Sequence, residues 1–207
     1  MNKKSQFFPL HDENPHRHFP FVNWLLIIAN IAVFVWSLGA FEQNINLYGF
    51  KPAEFSIITL FTSMFLHGGI AHIFGNLWFL YIFGDNVEDA FGHFKYLIFY
   101  LVAGIAASMT HYFLNIDSNI PAVGASGAIS GVLGTYLILY PKVRVYVAGA
   151  FGHIGKVSAW FMLGFWFLFQ LISGASTLLG TQSGIAFFAH IGGFVFGAVV
   201  ALIFRLL

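Results

Sequence analysis

Six long apolar segments, separated by short polar stretches, constrain this chain more than any other feature. Hydrophobic residues make up 58% of its 207 residues and charged residues only 8%, with a mean hydropathy of +0.80. Soluble domains carry roughly 25% charged residues. Because a helix needs about 20 residues to cross the hydrocarbon core, the length allows about six spans and little else. The chain is therefore predicted to be an all-α integral membrane protein with one compact membrane domain.

The polar stretches predict where the spans begin and end. Residues 1–20 are expected to form a cytoplasmic N-terminal lead, and residues 21–207 the membrane domain. The first apolar segment could be a signal peptide, but Leu38 breaks the small-x-small cleavage pattern and favours an uncleaved span. A turn at Gly68-Gly69 is expected to lead into the second span. The expected segments are 19–40, 59–90, 94–114, 126–140, 157–173 and 185–204.

Charge sets the expected orientation and the expected partners. With six spans and the N-terminus in the cytoplasm, Lys51 alone among the nine Lys and Arg residues lies outside. The positive-inside rule favours this arrangement. A net charge of +1, spread along the chain, makes no basic face, so the lipid bilayer and not nucleic acid is the expected partner. The sequence does not indicate an oligomeric state.

A block of small residues at 124–131, GASGAISG, stands out from the apolar pattern. Glycines there allow a sharp turn and leave the Ser126 hydroxyl uncovered. A helix that starts at this serine would aim its free N–H groups at a developing oxyanion. The block can also be only a packing seam, because Gly127 and Gly131 form a G-x-x-x-G pattern. Taken alone, the block favours packing.

Spacing places four polar side chains at one depth, those of Ser126, His190, Asn76 and His72. Ser126 precedes Pro141 by fifteen residues, and His190 precedes Arg205 by the same number. Both intervals end at the predicted cytoplasmic boundary and rise roughly 22 Å. In a core of about 30 Å, both side chains then lie roughly 8 Å below the outer face. Asn76 falls near the same level, and the fourth helix is predicted to begin inside the membrane.

These groups suit acyl-transfer chemistry. A serine hydroxyl is a weak nucleophile and needs a base, and a neutral histidine can take its proton. No carboxylate is expected at that depth, so Ser126 and His190 predict a catalytic dyad. Asn76 and His72 would donate hydrogen bonds to the oxyanion beside the Ser126 backbone N–H.

Each residue also has a structural interpretation. His190 alone could be a packing histidine, since Gly193 and Gly197 after it form a second G-x-x-x-G pattern. Asn76 could simply join helices by a hydrogen bond. The H-E-x-x-H pattern of zinc proteases is missing, so neither a metal nor a cofactor is expected.

The chain resembles the rhomboid intramembrane serine proteases from about Phe21 to Arg205. The matching pieces are H-x-x-x-N at 72–76, G-x-S-G at 124–127 and A-H-x-x-G-x-x-x-G at 189–197. The resemblance implies a six-helix rhomboid-like bundle of the bacterial type, in a bacterial inner membrane. It implies hydrolysis of peptide bonds in or near the transmembrane segments of other membrane proteins, with Ser126 as nucleophile and His190 as base.

The resemblance also implies supporting roles. It assigns Gly124 and Ala125 to the oxyanion and substrate-binding region, beside His72 and Asn76. It makes Glu88 a structural carboxylate and residues 174–184 a cap over the site. Some family members stack an aromatic residue on the histidine from four residues after the serine, where this chain has Ser130, so His190 is expected to be oriented differently. The remaining supporting residues are His67, Gly127, Gly193 and Gly197.

Two other functions compete with the protease prediction. A non-catalytic rhomboid-like protein would bind unstable transmembrane helices without cutting them, but such relatives typically lack the serine or the histidine. A small transporter with a polar site at the midplane is disfavoured because no internal repeat is found.

Overall fold

Eight helices form most of the computed structural model, which describes residues 8–15, 17–149, 153–179 and 184–207. Six of them match the six predicted spans, so the predicted helical membrane bundle is confirmed. Short 3-10 turns lie at 38–40, 52–54 and 63–65. The helices are α1 (Phe21–Ser37), α2 (Phe41–Tyr48), α3 (Ile57–Thr62), α4 (Ile70–Phe91), α5 (His93–Leu114), α6 (Ser126–Leu139), α7 (Ala159–Leu178) and α8 (Phe187–Phe204).

The lengths of these helices agree with a membrane setting. Among the described residues, four stretches are long and apolar enough to cross a bilayer: Phe21–Tyr48, His93–Leu114, Ala159–Leu178 and Phe187–Leu206. The segment Ile57–Phe65 and helix α4 pass the same test together but are bent by 87°. Gly69 at this bend has φ 154°, which confirms the predicted turn. With 14 residues, α6 rises only about 21 Å, as expected for a helix that begins inside the membrane.

A small sheet, which the sequence did not predict, joins the lead to the connection between α6 and α7. Its strands are β1 (Phe8–Asp12), β2 (Arg144–Ala148) and β3 (Ile154–Ser158), in the order β1-β2-β3. Both pairings are antiparallel. Val145 and Val147 on the central strand are buried and belong to the hydrophobic core. Residues 8–12 of the N-terminal lead are therefore part of the folded unit.

The predicted limits of the fifth span are wrong at both ends. Val157 and Ser158 pair with β2, so the helix begins at Ala159. At the other end α7 continues to Leu178, and the first part of the predicted cap is helical. Residues 180–183 of that cap lie outside the described residues.

Hydrogen bonds fix the strand β1 to two helices. Trp78 on α4 donates its indole N–H to the Pro9 carbonyl at 2.7 Å. Tyr136 on α6 donates its hydroxyl hydrogen to the Asp12 carboxylate, and the Asn86 amide lies 3.4 Å from the same oxygen. Asp12 is therefore held against α4 and α6.

A buried carboxylate fixes the start of α1. Glu88 on α4 is 1% exposed and accepts hydrogen bonds from the Val22 and Asn23 backbone N–H groups at 2.8 and 2.7 Å. These N–H groups belong to the first turn of α1, where backbone N–H groups have no acceptor within their own helix. The positive end of the helix dipole also favours the negative charge of the carboxylate. The first and second spans are thus joined at their predicted inner ends, as the resemblance implies for Glu88.

Glycines bring the backbones of α6 and α8 into direct contact. A Cβ atom built on Gly193 would overlap the Gly127 carbonyl, and one built on Gly197 would overlap the Gly131 carbonyl. The two G-x-x-x-G patterns of the sequence therefore face each other. Gly127 also approaches α5, since a Cβ there would lie 2.6 Å from the Ala107 Cβ. This contact between helices is the packing seam that the small-residue block suggested.

The position of Asp12 predicts how stability depends on pH. The pKa of its carboxyl is raised from 3.8 to about 6, because burial and the nearby Asp85 raise it more than the Tyr136 hydrogen bond lowers it. Because the folded state holds the proton more tightly, stability contributed by this group is lost as the pH rises from about 4 through about 6. Asp12→Asn keeps an acceptor for Tyr136 without the charge. We expect it to raise the thermal midpoint in detergent at pH 7.5 and to leave it unchanged at pH 4.

The neighbouring Glu13→Gln serves as the control. Glu13 is solvated and pairs with Lys156, so its loss should leave the pH dependence of the wild type in place. Parallel curves of thermal midpoint against pH for wild type and Asp12→Asn would contradict the account of Asp12.

Candidate active site

Ser126 stands at the N-terminus of α6, where the backbone arrives through a constrained glycine. Gly124 has φ 127°, a conformation that L side chains rarely adopt, and its N–H donates to the Ser63 carbonyl at 2.9 Å. A Cβ at this position would also lie only 2.8 Å from His72 Nε2. Glycine is therefore required here both by the backbone conformation and by the close approach of His72.

His190 on α8 meets the serine directly. Its Nε2 atom lies 2.8 Å from Ser126 Oγ. The glycine contact explains the match, because Gly127 follows the serine by one residue and Gly193 follows the histidine by three. The structure thus brings together the two side chains that the sequence predicted to lie at one depth.

His72 and Asn76 lie beside this pair, on α4. The Gly68 backbone N–H donates to His72 Nδ1 at 3.2 Å, so the neutral ring carries its hydrogen on Nε2, the nitrogen nearest Gly124. Asn76 is buried, and within the described residues its Nδ2 has no hydrogen-bond partner. Two N–H donors therefore lie near Ser126 and are free to bind an acceptor.

One cavity joins the four predicted polar side chains. It has a volume of about 290 Å³ and lies among α4, α6, α7 and α8. No carboxylate lines it in the part of the chain that the structure describes. The lining residues are Ala71, His72, Gly75, Asn76, Phe79, Ser126, Ile129, Ser130, Leu133, Trp166, Phe169, Gln170, Ile185, Phe187 and His190.

The other predicted site residues lie around the cavity rather than on its surface. His67 is fully buried, and its ring meets the His72 ring edge-on at 5.2 Å between centroids. Ala125 is fully buried, so only its main chain can act near the serine. Gly124 shapes the approach to Ser126, while Gly127, Gly193 and Gly197 form the contact between α6 and α8.

Two residues on α7 that were missed by sequence reasoning complete the surroundings of His190. Gln170 Oε1 lies 2.9 Å from His190 Nδ1, and the Trp166 ring is 6.0 Å from the imidazole between centroids, tilted by 34°. Trp166 thus provides an aromatic neighbour from a different helix, although Ser130 leaves the usual family position without one. Ser130 instead donates to the Ser126 carbonyl at 2.6 Å. A lone amide in an apolar helix was the available signal for Gln170, since such residues are costly in lipid.

A family comparison agrees with this geometry. The Rhomboid domain model matches residues 54–206, which contain the four predicted polar residues of the cavity. The chain belongs to the rhomboid family. It is an integral membrane protein with several spans, as that family and its apolar helices show together.

Individual relatives place this rhomboid chain beside named proteases. It is 30% identical to Rhomboid protease AarA of Providencia stuartii, over 87% of the chain and 71% of that relative. It is 31% identical to Rhomboid protease GluP of Bacillus subtilis, over 84% of the chain but 35% of that relative. It is also 29% identical to RHOMBOID-like protein 12, mitochondrial, of Arabidopsis thaliana, over 84% of the chain and 55% of that relative. The chain therefore spans about a third of the length of GluP and about half of the length of RHOMBOID-like protein 12.

Proposed function

We propose that this rhomboid chain is an intramembrane serine endopeptidase that hydrolyses peptide bonds in or near the transmembrane segments of other membrane proteins. The observation that carries the proposal is the 2.8 Å contact between Ser126 Oγ and His190 Nε2 inside a cavity within the helical bundle. Two of its relatives are named rhomboid proteases, which supports the same reaction. In this proposal residues 21–207 are the protease domain, and residues 1–20 are a lead that β1 attaches to it.

The first half of the reaction forms an acyl-enzyme. Ser126 Oγ attacks the carbonyl carbon of the scissile bond while His190 Nε2 takes the hydroxyl proton. The tetrahedral intermediate collapses when the C–N bond breaks, and His190 returns the proton to the leaving amine. The ester between Ser126 and the N-terminal part of the substrate remains.

The second half releases the product and restores the enzyme. His190 removes a proton from water as the water oxygen attacks the ester carbonyl. The proton then passes to Ser126 Oγ as the ester bond breaks. The net result is the hydrolysis of one peptide bond, with no metal or cofactor in the steps.

Three donors stabilise the oxyanion in both halves. The backbone N–H of Ser126 is in the first turn of α6, where N–H groups lack partners within their own helix. The side chains of Asn76 and His72 add N–H donors from α4. Donors that are fixed in place before the reaction are effective because they need no reorganisation as charge develops.

The proposed setting is the inner membrane of a bacterial cell with the N-terminus in the cytoplasm. This orientation puts the serine toward the outer leaflet and follows from the distribution of Lys and Arg residues. Because the chain has no cysteine, Lys51→Cys provides a single labelling site. A membrane-impermeant maleimide should label it in intact cells, and labelling only after lysis would contradict the orientation.

Cleavage of a reporter transmembrane segment in liposomes tests the proposal. Wild type should release two fragments, and Ser126→Ala should release none because no other group can form the acyl-enzyme. The control is Ser176→Ala, which removes an exposed hydroxyl that bonds within α7 and should leave cleavage unchanged. Equal cleavage by wild type and Ser126→Ala, or none by a folded wild type with several reporters, would exclude the enzyme. Binding of the reporters without cleavage would instead support the non-catalytic helix-binding function.

Loss of an oxyanion donor predicts a specific kinetic change. Asn76→Ala should lower kcat about a hundredfold or more and leave KM nearly unchanged, since the donor acts on charge that develops only in the transition state. The control is Asn30→Ala, whose buried amide bonds to the Leu26 carbonyl within α1, away from the cavity. We expect its kcat per folded molecule to match wild type. An unchanged kcat in Asn76→Ala would contradict the role of this side chain as an oxyanion donor.

A further inference from the structure

His190 is held at both ring nitrogens, and the two partners come from different helices. Its Nε2 faces Ser126 Oγ on α6 at 2.8 Å. Its Nδ1 faces Gln170 Oε1 on α7 at 2.9 Å. Gln170 is 5% exposed, so water is a weak competitor for this contact. The orientation of the imidazole therefore depends on an uncharged amide, in the place where serine proteases with a triad have a carboxylate.

The amide oxygen decides which nitrogen carries the hydrogen. A neutral imidazole donates from one nitrogen and accepts at the other. Because an amide oxygen can only accept, its contact with Nδ1 requires the hydrogen to be on Nδ1. The lone pair is then on Nε2, where it accepts the Ser126 hydroxyl hydrogen. If the amide nitrogen faced the ring instead, Nε2 would carry the hydrogen and could not take a proton from the serine.

The same contact persists after proton transfer. Once His190 has taken the serine proton, both ring nitrogens are donors. Gln170 Oε1 remains an acceptor for Nδ1–H, and this hydrogen bond strengthens when its donor is charged. An apolar side chain at this position would leave Nδ1–H without this acceptor, at a cost in free energy.

We propose that Gln170 is a positioning residue that holds His190 in the Nδ1–H tautomer and so fulfils, without a charge, the orienting role of the missing carboxylate. This inference rests on the proposed function and extends it to a residue on a third helix. Trp166 lies one turn before Gln170 on the same helix, and its ring lies 6.0 Å from the imidazole between centroids. Helix α7 therefore sets the orientation of a histidine that belongs to α8.

Kinetics of three variants test this role. Gln170→Leu removes the acceptor, and we expect kcat to fall by about tenfold or more, because the ring loses the partner that holds its tautomer and orientation, with KM within about twofold of wild type. Gln170→Glu keeps an acceptor, and we expect it to recover most of the lost kcat. The carboxylate of the introduced glutamate favours the protonated form of the His190 ring. The acidic limb of the plot of kcat/KM against pH should therefore move to higher pH. The control is Ser176→Ala, a polar residue of α7 that lies away from His190, and it should behave as wild type.

The outcomes separate positioning from a general structural role. A misfolded or loosened bundle would lower the activity of Gln170→Leu but would not produce recovery and a shifted pH profile in Gln170→Glu. Unchanged kcat in Gln170→Leu would overturn the proposal. So would a Gln170→Glu profile that coincides with wild type.

A spectroscopic measurement tests the tautomer independently of cleavage. Nitrogen-15 NMR of protein labelled at histidine, with the His190 signals identified by their loss in His190→Ala, distinguishes a protonated from an unprotonated ring nitrogen. We expect a protonated Nδ1 and an unprotonated Nε2 in wild type at neutral pH, and a loss of this preference in Gln170→Leu. A protonated Nε2 in wild type, or the same tautomer in both proteins, would overturn the inference. Because this readout needs no substrate, failure of the cleavage assay alone would count against the proposed function and not against the contact.

Discussion

The direct contact between the backbones of α6 and α8 is the constraint on which the site depends. Gly193 packs on the Gly127 carbonyl and Gly197 on the Gly131 carbonyl, with no room for a side chain at either crossing. Since lipid removes the hydrophobic drive for helices to associate, such close packing is a main source of affinity between them. It also fixes the register of the two helices. The serine and the histidine then meet because each lies within one turn of a glycine pair.

Several polar groups inside the bundle are bound by a group from another segment. Glu88 binds the first turn of α1, Asp12 accepts from Tyr136, and Thr135 donates to the Gly197 carbonyl at 2.9 Å. Backbone polar groups outside the helices at this depth also need hydrogen-bond partners. The Gly124 N–H, for example, donates to the Ser63 carbonyl. Asn76 Nδ2, beside the cavity, differs from these groups because it is buried without a partner among the described residues. An acceptor formed during the reaction would satisfy it.

Much of the fold was predictable because it depends on lengths and spacings that can be read directly from the sequence. The lengths of the apolar segments predicted the spans. The equal distances of Ser126 and His190 from the predicted inner boundary predicted that their side chains lie at one depth. The sheet was not predictable, since β1 and β2 lie far apart in sequence. The pairing of β3 with β2 explains the misplaced start of α7, because a short apolar strand and the first turn of a helix look alike in sequence. Gln170 belongs to none of the motifs that carried the resemblance, and its contact depends on how α7 and α8 are rotated against each other.

The central claim is that His190 activates Ser126 for attack, and covalent labelling measures this most directly. A fluorophosphonate reacts with an activated serine, and mass spectrometry of the labelled protein identifies the modified residue. The account predicts a single adduct on Ser126 in the wild type and none in a folded His190→Ala variant over the same time. Absence of the adduct from folded wild type, an adduct on another serine, or equal labelling of the two proteins would contradict it.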